Sequence, residues 1–299
     1  MVYDPHFRKE RKERERVKAL LPVLSHYQAS DLLQARKRGD QSVVTSLTLN
    51  VSQIELTLSS DGVVIDETIL PWSEVEEVAD YENGCFVVED GRAYKITEFS
   101  EELQRAYSLF PTESAPTMLV SGITMRRIVN CNPRQDTINK IKALGAKPTG
   151  SVLDTTMGLG YTAIEAAQTA VRVTTIELDP TVLEVCRANP WSQELFSRDN
   201  IERHLGHCWD VIEEFRDGSF DCIVHDPPMF NMAGELYSVE FYRELHRLVR
   251  QKGRVFHYIG NPNSKSGATN TRGTIKRLKE AGFKRVQPRP QAFGVRAIK

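Results

Sequence analysis

The sequence predicts an α/β fold in which a doubly wound, mostly parallel sheet of seven strands follows a small α+β domain. Three observations indicate this architecture. After Gly150, strand-like apolar runs alternate repeatedly with segments of helical period, as parallel strands with crossover helices require. The last two runs follow one another without a helix, so one of them should be antiparallel. Between residues 42 and 96 the apolar period is two, with turn signals at 60–62 and 90–91, which is typical of antiparallel hairpins.

The composition suits a folded protein and excludes some classes. Of 299 residues, 40% are hydrophobic and 26% are charged, so a core and a polar surface are both available. The formal net charge of −1 does not indicate a nucleic-acid partner, which would need a local basic patch. No apolar stretch approaches the ~20 residues of a membrane-spanning helix, so we expect no membrane association.

Cysteine usage indicates a reducing compartment. The five cysteines are odd in number, widely spaced and form no C-x-x-C pair, which argues against a disulfide framework or a structural zinc site. No group of histidine, cysteine and aspartate has the spacing of zinc ligands. We therefore expect a cytoplasmic protein without a metal. The sequence indicates no oligomeric state.

The chain divides into three predicted segments, residues 1–110, 111–148 and 149–299. The first is the small α+β domain. It begins with a basic helical arm at 1–20, where seven basic residues face four acidic ones, and it ends with a short helix at 100–109. The second is a linker and a lead-in helix, and the third is the α/β domain.

Two signals define the middle segment. Two prolines within residues 111–117 break regular structure, and a strand at 118–123 follows them. Asn132 and Pro133 then form a helix-start signal, and Gly145 ends that helix.

A glycine-containing loop follows the first strand of the α/β domain. Its residues include Asp154, Thr156, Gly158 and Gly160. Glycines two apart allow a sharp strand-to-helix turn and the close approach of a ligand. The next strand ends at Glu177, whose carboxylate can accept hydrogen bonds from both hydroxyls of a nucleotide ribose.

The D-T-T-M-G-L-G loop resembles the first motif of class I S-adenosylmethionine-dependent methyltransferases, which have a Rossmann-like fold. Its leading acid, Asp154, distinguishes it from the G-x-G-x-x-G fingerprint of nicotinamide enzymes, the weaker alternative. The resemblance implies an S-adenosylmethionine site formed by Asp154, Thr156, Gly158, Gly160 and Glu177. That family often has an adenine-binding acid after the third strand. This chain has His207 there, which could accept one hydrogen bond.

The fourth strand ends in Asp226, Pro227, Pro228, Met229 and Phe230. This segment resembles the [D/N/S]-P-P-[Y/F/W] motif of amino-group methyltransferases. A planar amine is a poor nucleophile, and a carboxylate with a backbone carbonyl can accept both of its N–H bonds and direct its lone pair at a methyl donor. We therefore expect Asp226, Pro227 and Phe230 to be catalytic. The sequence departs from the motif at its fourth position, where Met229 stands and the aromatic Phe230 follows.

Residues beyond this motif are candidates for substrate binding, because they follow the fourth and fifth strands on the expected active face. These candidates are Met229, Glu235, Tyr237, Lys265 and Arg272. Lys265 and Arg272 lie in a polar stretch, 260–273, that is predicted to be a loop.

A longer resemblance runs through residues 111–117, 225–245 and 256–262. These segments are similar to a family of uncharacterised archaeal and bacterial predicted methyltransferases with a small N-terminal domain. The resemblance implies S-adenosylmethionine as the cofactor and leaves the substrate open. The first hypothesis is methylation of an exocyclic amine of a nucleic-acid base, with RNA favoured as the partner. The alternatives are a protein glutamine or small amine as substrate, an aminopropyltransferase that extends a polyamine, and a non-catalytic adenosyl-binding module.

Overall fold

The computed structural model describes residues 21–230, 232–265 and 267–299, so the predicted basic arm lies outside the described residues. The α-helices of the described part are α1 His26–Arg38, α2 Trp72–Asp80, α3 Pro133–Ala143, α4 Tyr161–Ala167, α5 Pro180–Ala188, α6 Glu194–Ser197, α7 Cys208–Glu213, α8 Val239–Leu248 and α9 Gly267–Glu280. Both predicted end signals of α3 are present. The Asn132 side chain accepts a hydrogen bond from the Gln135 amide, and Gly145 follows in the left-handed region.

A seven-stranded sheet forms the C-terminal part, as predicted. Its order is β14-β13-β12-β15-β16-β18-β17. The strands are β12 Ser151–Asp154, β13 Arg172–Glu177, β14 Ile201–Leu205, β15 Phe220–His225, β16 Val249–Tyr258, β17 Arg285–Arg289 and β18 Gly294–Ile298. Strand β18 is antiparallel to both of its neighbours and the other pairs are parallel. The protein therefore has the doubly wound, Rossmann-like α/β fold.

Short antiparallel sheets precede it. Their orders are β1-β6-β7, β2-β3, β4-β5 and β11-β10-β9-β8. The strands are β1 Val23–Ser25, β2 Ser42–Thr45, β3 Ile54–Thr57, β4 Gly62–Ile65, β5 Thr68–Pro71, β6 Cys85–Glu89, β7 Arg92–Lys95, β8 Thr97–Ser100, β9 Arg105–Phe110, β10 Thr117–Val120 and β11 Ile123–Thr124. The last sheet runs across the predicted boundary at residue 110, because Phe110 of β9 pairs with Thr117 of β10.

Three local predictions were wrong. Residues 105–110 form β9 instead of a helix, because Tyr107 and Leu109 alternate inward and pair with β10. The strand predicted at 118–123 is a hairpin that turns at Ser121 and Gly122, both with positive φ. The predicted loop at 260–273 ends early, because α9 begins at Gly267.

Successive side chains of the central strands point to opposite faces of the sheet, and both faces are covered by helices. On the first face, Val152, Cys222 and Phe256 join a core that includes residues of α3, α4 and α5. On the second face, Leu153, Ile223 and Val255 pack with residues of α7, α8 and α9. Helices on both faces leave the carboxyl ends of the strands open, which is where α/β sheets of this type bind ligands.

The sheet of β8–β11 packs onto the first face. Its residues Tyr107, Leu109 and Met118 belong to the same core as α4 and α5. The Tyr107 hydroxyl donates a hydrogen bond to Asp179 Oδ2 over 2.8 Å. The Tyr161 hydroxyl donates to the Pro116 carbonyl over 3.0 Å. These buried contacts fix the β8–β11 sheet beside the carboxyl end of β13.

Candidate active site

A cavity of about 1310 Å³ opens at the carboxyl ends of the central strands. Its walls include the glycine loop, the ends of β13, β15 and β16, and part of the β8–β11 sheet. Sites for single small ligands are typically about 300–1,000 Å³. This cavity therefore has room for a nucleotide-sized cofactor and a second reactant.

The two glycines of the loop have different functions. Gly158 has φ +52°, its amide donates to Glu177 Oε2 over 2.9 Å, and a Cβ placed there would meet no atom within contact range. Gly160 has φ +75°, and a Cβ placed there would overlap the Leu195 side chain. Both positions favour glycine. Only Gly158 leaves free space on the cavity side.

Asp154 lies beneath the loop and is fully buried. Its Oδ2 accepts hydrogen bonds from the hydroxyls of Thr162, over 3.0 Å, and Thr175, over 3.2 Å. Its Oδ1 is buried and has no hydrogen-bond partner among the described residues. Burial raises the pKa of Asp154 to about 7, although the two hydroxyls oppose the shift. The predicted cofactor ligand is thus behind the cavity wall, with one carboxylate oxygen unsatisfied.

Glu177 lies in the cavity wall at the end of β13. The backbone amides of Gly158 and Asp179 donate to its two oxygens over 2.9 and 3.1 Å. Burial raises the pKa of Glu177 to about 7, although these backbone bonds oppose the shift. The carboxylate is therefore held in a fixed orientation at the strand end.

His207 also lines the cavity, immediately before α7. Its Nε2 lies 3.7 Å from Glu235 Oε1, and both side chains are about half exposed. The structure thus brings together two residues that the sequence suggested separately, one for adenine and one for substrate. A carboxylate therefore lies beside His207 in the cavity wall.

Two hydroxyls hold the loop that contains Asp226, Pro227 and Pro228, called here the D-P-P loop. Thr156 Oγ1 donates to the Asp226 carbonyl over 2.7 Å, which links this loop to the glycine loop. The Tyr237 hydroxyl donates to the Pro228 carbonyl over 2.8 Å. The Pro227 carbonyl receives no hydrogen bond from the described residues, so it can accept one from a ligand.

Buried histidines support the D-P-P loop from below. His225 Nε2 donates to the Leu236 carbonyl over 2.9 Å, and its Nδ1 accepts from the Thr155 hydroxyl over 2.7 Å. Burial lowers the pKa of His225 to about 4, so this histidine is neutral. His257 Nδ1 donates to the His225 carbonyl over 3.2 Å. These bonds fix the end of β15 against both neighbouring loops.

The Asp226 carboxylate has a partner that sequence reasoning missed. Lys140 of α3 is 1% exposed, and its Nζ lies 2.7 Å from Asp226 Oδ2 and 2.7 Å from Asp136 Oδ2. The ammonium group also lies 4.4 Å from the centre of the Tyr258 ring. The spacing of Asp136 and Lys140 indicates a helical ion pair. No local signal in the sequence shows that this pair faces a residue 86 positions away.

Arg126 is a second residue that the sequence did not single out as part of the site. Its side chain is 8% exposed and lines the cavity. Its Nη1 donates to Thr137 Oγ1 over 3.1 Å, and its guanidinium lies 5.2 Å from the centre of the Tyr161 ring, next to Gly160. Arg126 therefore places positive charge close to the glycine loop.

Met229 and Phe230 lie at the cavity wall with 48% and 65% of their surfaces exposed. The Phe230 ring makes an edge contact with the Tyr237 ring at 5.5 Å between centroids. Phe230 thus has a free face. Lys265 and Arg272 are exposed and are not among the cavity-lining residues, so their substrate contacts stay a prediction.

The described residues contain no group of three or more histidine, cysteine, aspartate or glutamate side chains arranged to hold a metal ion. No helix among residues 21–230, 232–265 and 267–299 is long and apolar enough to span a bilayer. Cys222 is buried within β15, and burial raises the pKa of its thiol.

Comparison with known proteins agrees with this geometry. Residues 152–253 match the family model of a methyltransferase domain. The uncharacterized protein MJ1233 of Methanocaldococcus jannaschii is 43% identical over 226 residues, which cover 75% of this chain and 77% of that protein.

Solved structures of spermidine synthase have a similar fold. One is from Thermotoga maritima and one is a complex with the transition state analogue AdoDATO. Each aligns with a TM-score of 0.52 and 14% identity, over 70% of this chain and 75% of the solved chain. At this identity the likeness shows the fold alone. The chain therefore belongs to the same family as MJ1233, and it carries a methyltransferase domain with the class I S-adenosylmethionine-dependent methyltransferase fold.

Proposed function

We propose that the protein transfers the methyl group of S-adenosylmethionine to an exocyclic amino nitrogen of a nucleic-acid base, with RNA as the favoured substrate. The observation that carries this proposal is the position of Asp226 and Pro227. Both lie at the carboxyl end of β15, in the wall of a cavity shared with the glycine loop and Glu177. A carboxylate and a free carbonyl side by side are suited to hold an amino group that has two N–H bonds.

The residues present fit the cofactor. Glu177 can accept hydrogen bonds from both ribose hydroxyls, and the space beside Gly158 admits the ligand. Arg126 lines the cavity and suits the carboxylate of an amino-acid tail, whereas Asp154 lies behind the wall and supports the loop through Thr162 and Thr175.

The chemistry divides between cofactor and chain. When bound, S-adenosylmethionine supplies an electrophilic methyl group on a sulfonium. Lys140 occupies Asp226 Oδ2, which leaves the other carboxylate oxygen to accept one substrate N–H bond. The Pro227 carbonyl accepts the second. Together they turn the nitrogen lone pair toward the methyl group, and the carboxylate can take the proton that the methylated nitrogen loses.

The exposed face of Phe230 supports a planar substrate. Aromatic rings that flank a cavity stack on extruded bases, and Met229 beside it offers a polarizable apolar surface. A flipped base would therefore lie between these side chains while its amino group reaches Asp226.

Aminopropyl transfer is the main alternative on this fold, because the structural neighbours are spermidine synthases. A polyamine substrate needs unpaired acids. The four acids in the cavity wall are Glu177, Asp179, Asp226 and Glu235. Each already lies near a backbone N–H, tyrosine, lysine or histidine partner. Decarboxylated S-adenosylmethionine also lacks the carboxylate that Arg126 would bind.

Calorimetry can separate these two reactions. Wild-type protein should bind S-adenosylmethionine more tightly than its decarboxylated form, by about tenfold for one charge-assisted interaction. Arg126→Gln should remove most of that difference. Equal binding of both ligands by the wild type would favour the aminopropyl alternative.

The substrate class is tested in cells. Nucleoside mass spectrometry of RNA from a deletion strain should show one N-methylated nucleoside missing. Wild-type protein should restore it, and Asp226→Ala should not, although purified Asp226→Ala should still bind S-adenosylmethionine. RNA modifications that are identical in the deletion strain would contradict the RNA proposal.

A further inference from the structure

Three arginines lie side by side on the first face of the sheet, beyond α3. They are Arg254 on β16, Arg289 on β17 and Arg296 on β18, and we call them the arginine row. Arg289 pairs with Gly294, which also pairs with Tyr258 of the cavity wall. The row therefore begins at the level of the cavity and continues along the sheet toward its opposite edge.

The partners of the arginine row are neutral. Arg289 Nη2 and Arg296 Nη2 both donate to Gln287 Oε1, over 3.2 and 2.7 Å. Arg289 Nε reaches the Ala143 carbonyl over 3.4 Å, and Arg254 Nη1 reaches the Ala146 carbonyl over 3.4 Å. Within the described part of the chain, no carboxylate forms an ion pair with any of the three. Their charges are therefore uncompensated.

Arg296 is incompletely satisfied in this arrangement. Burial and the charges of Arg289 and Arg254 lower the pKa of Arg296. Arg296 Nε is buried and has no hydrogen-bond partner among the described residues. Two of the arginines reach carbonyls at the end of α3, which is a common way to cap a helix. Arg296 packs against Gly145 at the same helix end, but among the described residues it donates to Gln287 Oε1 and to no carbonyl of α3.

Another arginine continues from the row into the cavity. Arg127 lines the cavity, and its guanidinium lies 3.5 Å from the centre of the Phe293 ring, which also lines it. Arg127 Nη1 donates to the Gln291 carbonyl over 3.0 Å, two residues after Arg289. Arg127 also pairs with the buried Asp136 Oδ1 over 3.4 Å, so its charge is compensated and the arginine row supplies the charge without an ion pair on this side of the cavity.

We propose that the arginine row binds the phosphate backbone of a single-stranded RNA segment whose target base enters the cavity. This inference rests on the proposed function. Guanidinium groups bind phosphate through two parallel hydrogen bonds, and a bound phosphate would satisfy donors and neutralise the repulsion at Arg296. A nucleic-acid strand suits the site because a row of cations beside a cavity with an exposed aromatic ring fits a backbone with one unstacked base.

Fluorescence anisotropy can test the row without knowledge of the natural substrate. The probe is a fluorescein-labelled, mixed-sequence single-stranded RNA of about 15 nucleotides. Arg289→Gln and Arg296→Gln should each weaken binding about fivefold to tenfold at low salt and reduce the slope of log Kd against log salt by about 0.7. The matched control is Arg243→Gln, since Arg243 is an exposed arginine of α8 on the second face. It should leave both quantities unchanged.

Other outcomes would overturn the inference. The inference is wrong if Arg289→Gln and Arg296→Gln bind RNA with the affinity of the wild type. It is also wrong if Arg243→Gln loses as much RNA affinity as the two row variants. Polyglutamate is also tested as a competitor of RNA. If it displaces RNA and its binding is weakened equally by Arg289→Gln and Arg296→Gln, the partner is an acidic protein and the inference is wrong. Arg296→Gln should keep its melting temperature, because it removes repulsion, and Arg296→Lys should bind RNA better than Arg296→Gln does.

The same experiment separates this inference from the proposed function. Methyl transfer to the same RNA probe is measured beside its binding. Wild-type protein that binds RNA through the row and transfers no methyl group to it would contradict the proposed function alone. If the row variants methylate RNA at the rate of the wild type, this inference alone is contradicted.

Discussion

At the scale of single residues, the site depends on an ion pair between two residues that are far apart in the sequence, Lys140 and Asp226. Asp226 was found from its motif, whereas Lys140 was not, because its function depends on burial and on a contact across the fold. A buried ammonium group between two carboxylates is stable only while both partners are present. The Asp226–Lys140 pair presents one free carboxylate oxygen to a ligand, as a neutral asparagine would at the same position.

Replacement of Lys140 should destabilise the protein strongly. Lys140→Met leaves Asp226 without its cation, while Asp136 keeps Arg127 at 3.4 Å, so we expect a loss of about 3 kcal/mol in the free energy of unfolding, measured with urea. The exposed Lys142 of the same helix is the control, and Lys142→Met should change stability by less than ~0.5 kcal/mol. The double variant Lys140→Met/Asp226→Asn should regain part of the loss. A loss below about 1 kcal/mol in Lys140→Met would refute the buried ion pair.

Glu177 should make cofactor binding depend on pH. Its raised pKa of about 7 means that the carboxylate ionises as the pH rises through that value. Only the ionised group accepts hydrogen bonds from both ribose hydroxyls, so S-adenosylmethionine affinity should increase between about pH 6 and pH 8.

The control for that pH dependence is Glu177→Gln. This variant should bind more weakly, with most of the dependence removed. Asp154 also titrates near 7, so any dependence that remains in Glu177→Gln belongs to Asp154. An unchanged pH profile in the variant would contradict the assignment of Glu177.

At the scale of elements, the glycine loop combines an open position beside the cavity, Gly158, with a packed position, Gly160. Gly158→Ala introduces about 1 kcal/mol of backbone strain, because alanine disfavours a positive φ. The new Cβ enters open space beside the cavity, so the main effect measured by calorimetry should be weaker binding of S-adenosylmethionine. Gly160→Ala adds overlap with Leu195, so it should lose more stability in a thermal melt. Gly158→Ala with full cofactor affinity would show that the loop does not hold the cofactor.

The sequence predicted the α/β elements well, because their apolar periods are strong. Residues 100–109 show why it failed elsewhere. Glu101, Glu102, Leu103 and Gln104 are good helix formers, yet Tyr107 and Leu109 gain more from pairing with β10 in a shared core. At these residues the pairing with β10 outweighs the local helix propensity. Arg126 was missed because only the tertiary fold brings its side chain beside Tyr161.

At the scale of the whole molecule, the β8–β11 sheet forms one wall of the cavity proposed to bind the cofactor. The Tyr107 hydroxyl bonds to Asp179, whose amide in turn bonds to Glu177. Tyr107→Phe should lower stability by about 1–2 kcal/mol and weaken cofactor binding, since a buried carboxylate loses a donor. The exposed Tyr94 supplies the control, and Tyr94→Phe should change neither the melting temperature nor the affinity. Unaltered cofactor binding in Tyr107→Phe would show that this wall does not contribute to the site.

The most direct test of the central claim is methyl transfer in vitro. Purified protein is incubated with methyl-deuterated S-adenosylmethionine and RNA from the deletion strain, and the digested nucleosides are analysed by mass spectrometry. With wild-type protein we expect a deuterated methyl group on the exocyclic nitrogen of one nucleoside, and with Asp226→Ala we expect none. Label on a ring carbon or a ribose oxygen, or equal labelling by both proteins, would contradict the claim that Asp226 holds an amino group for methylation.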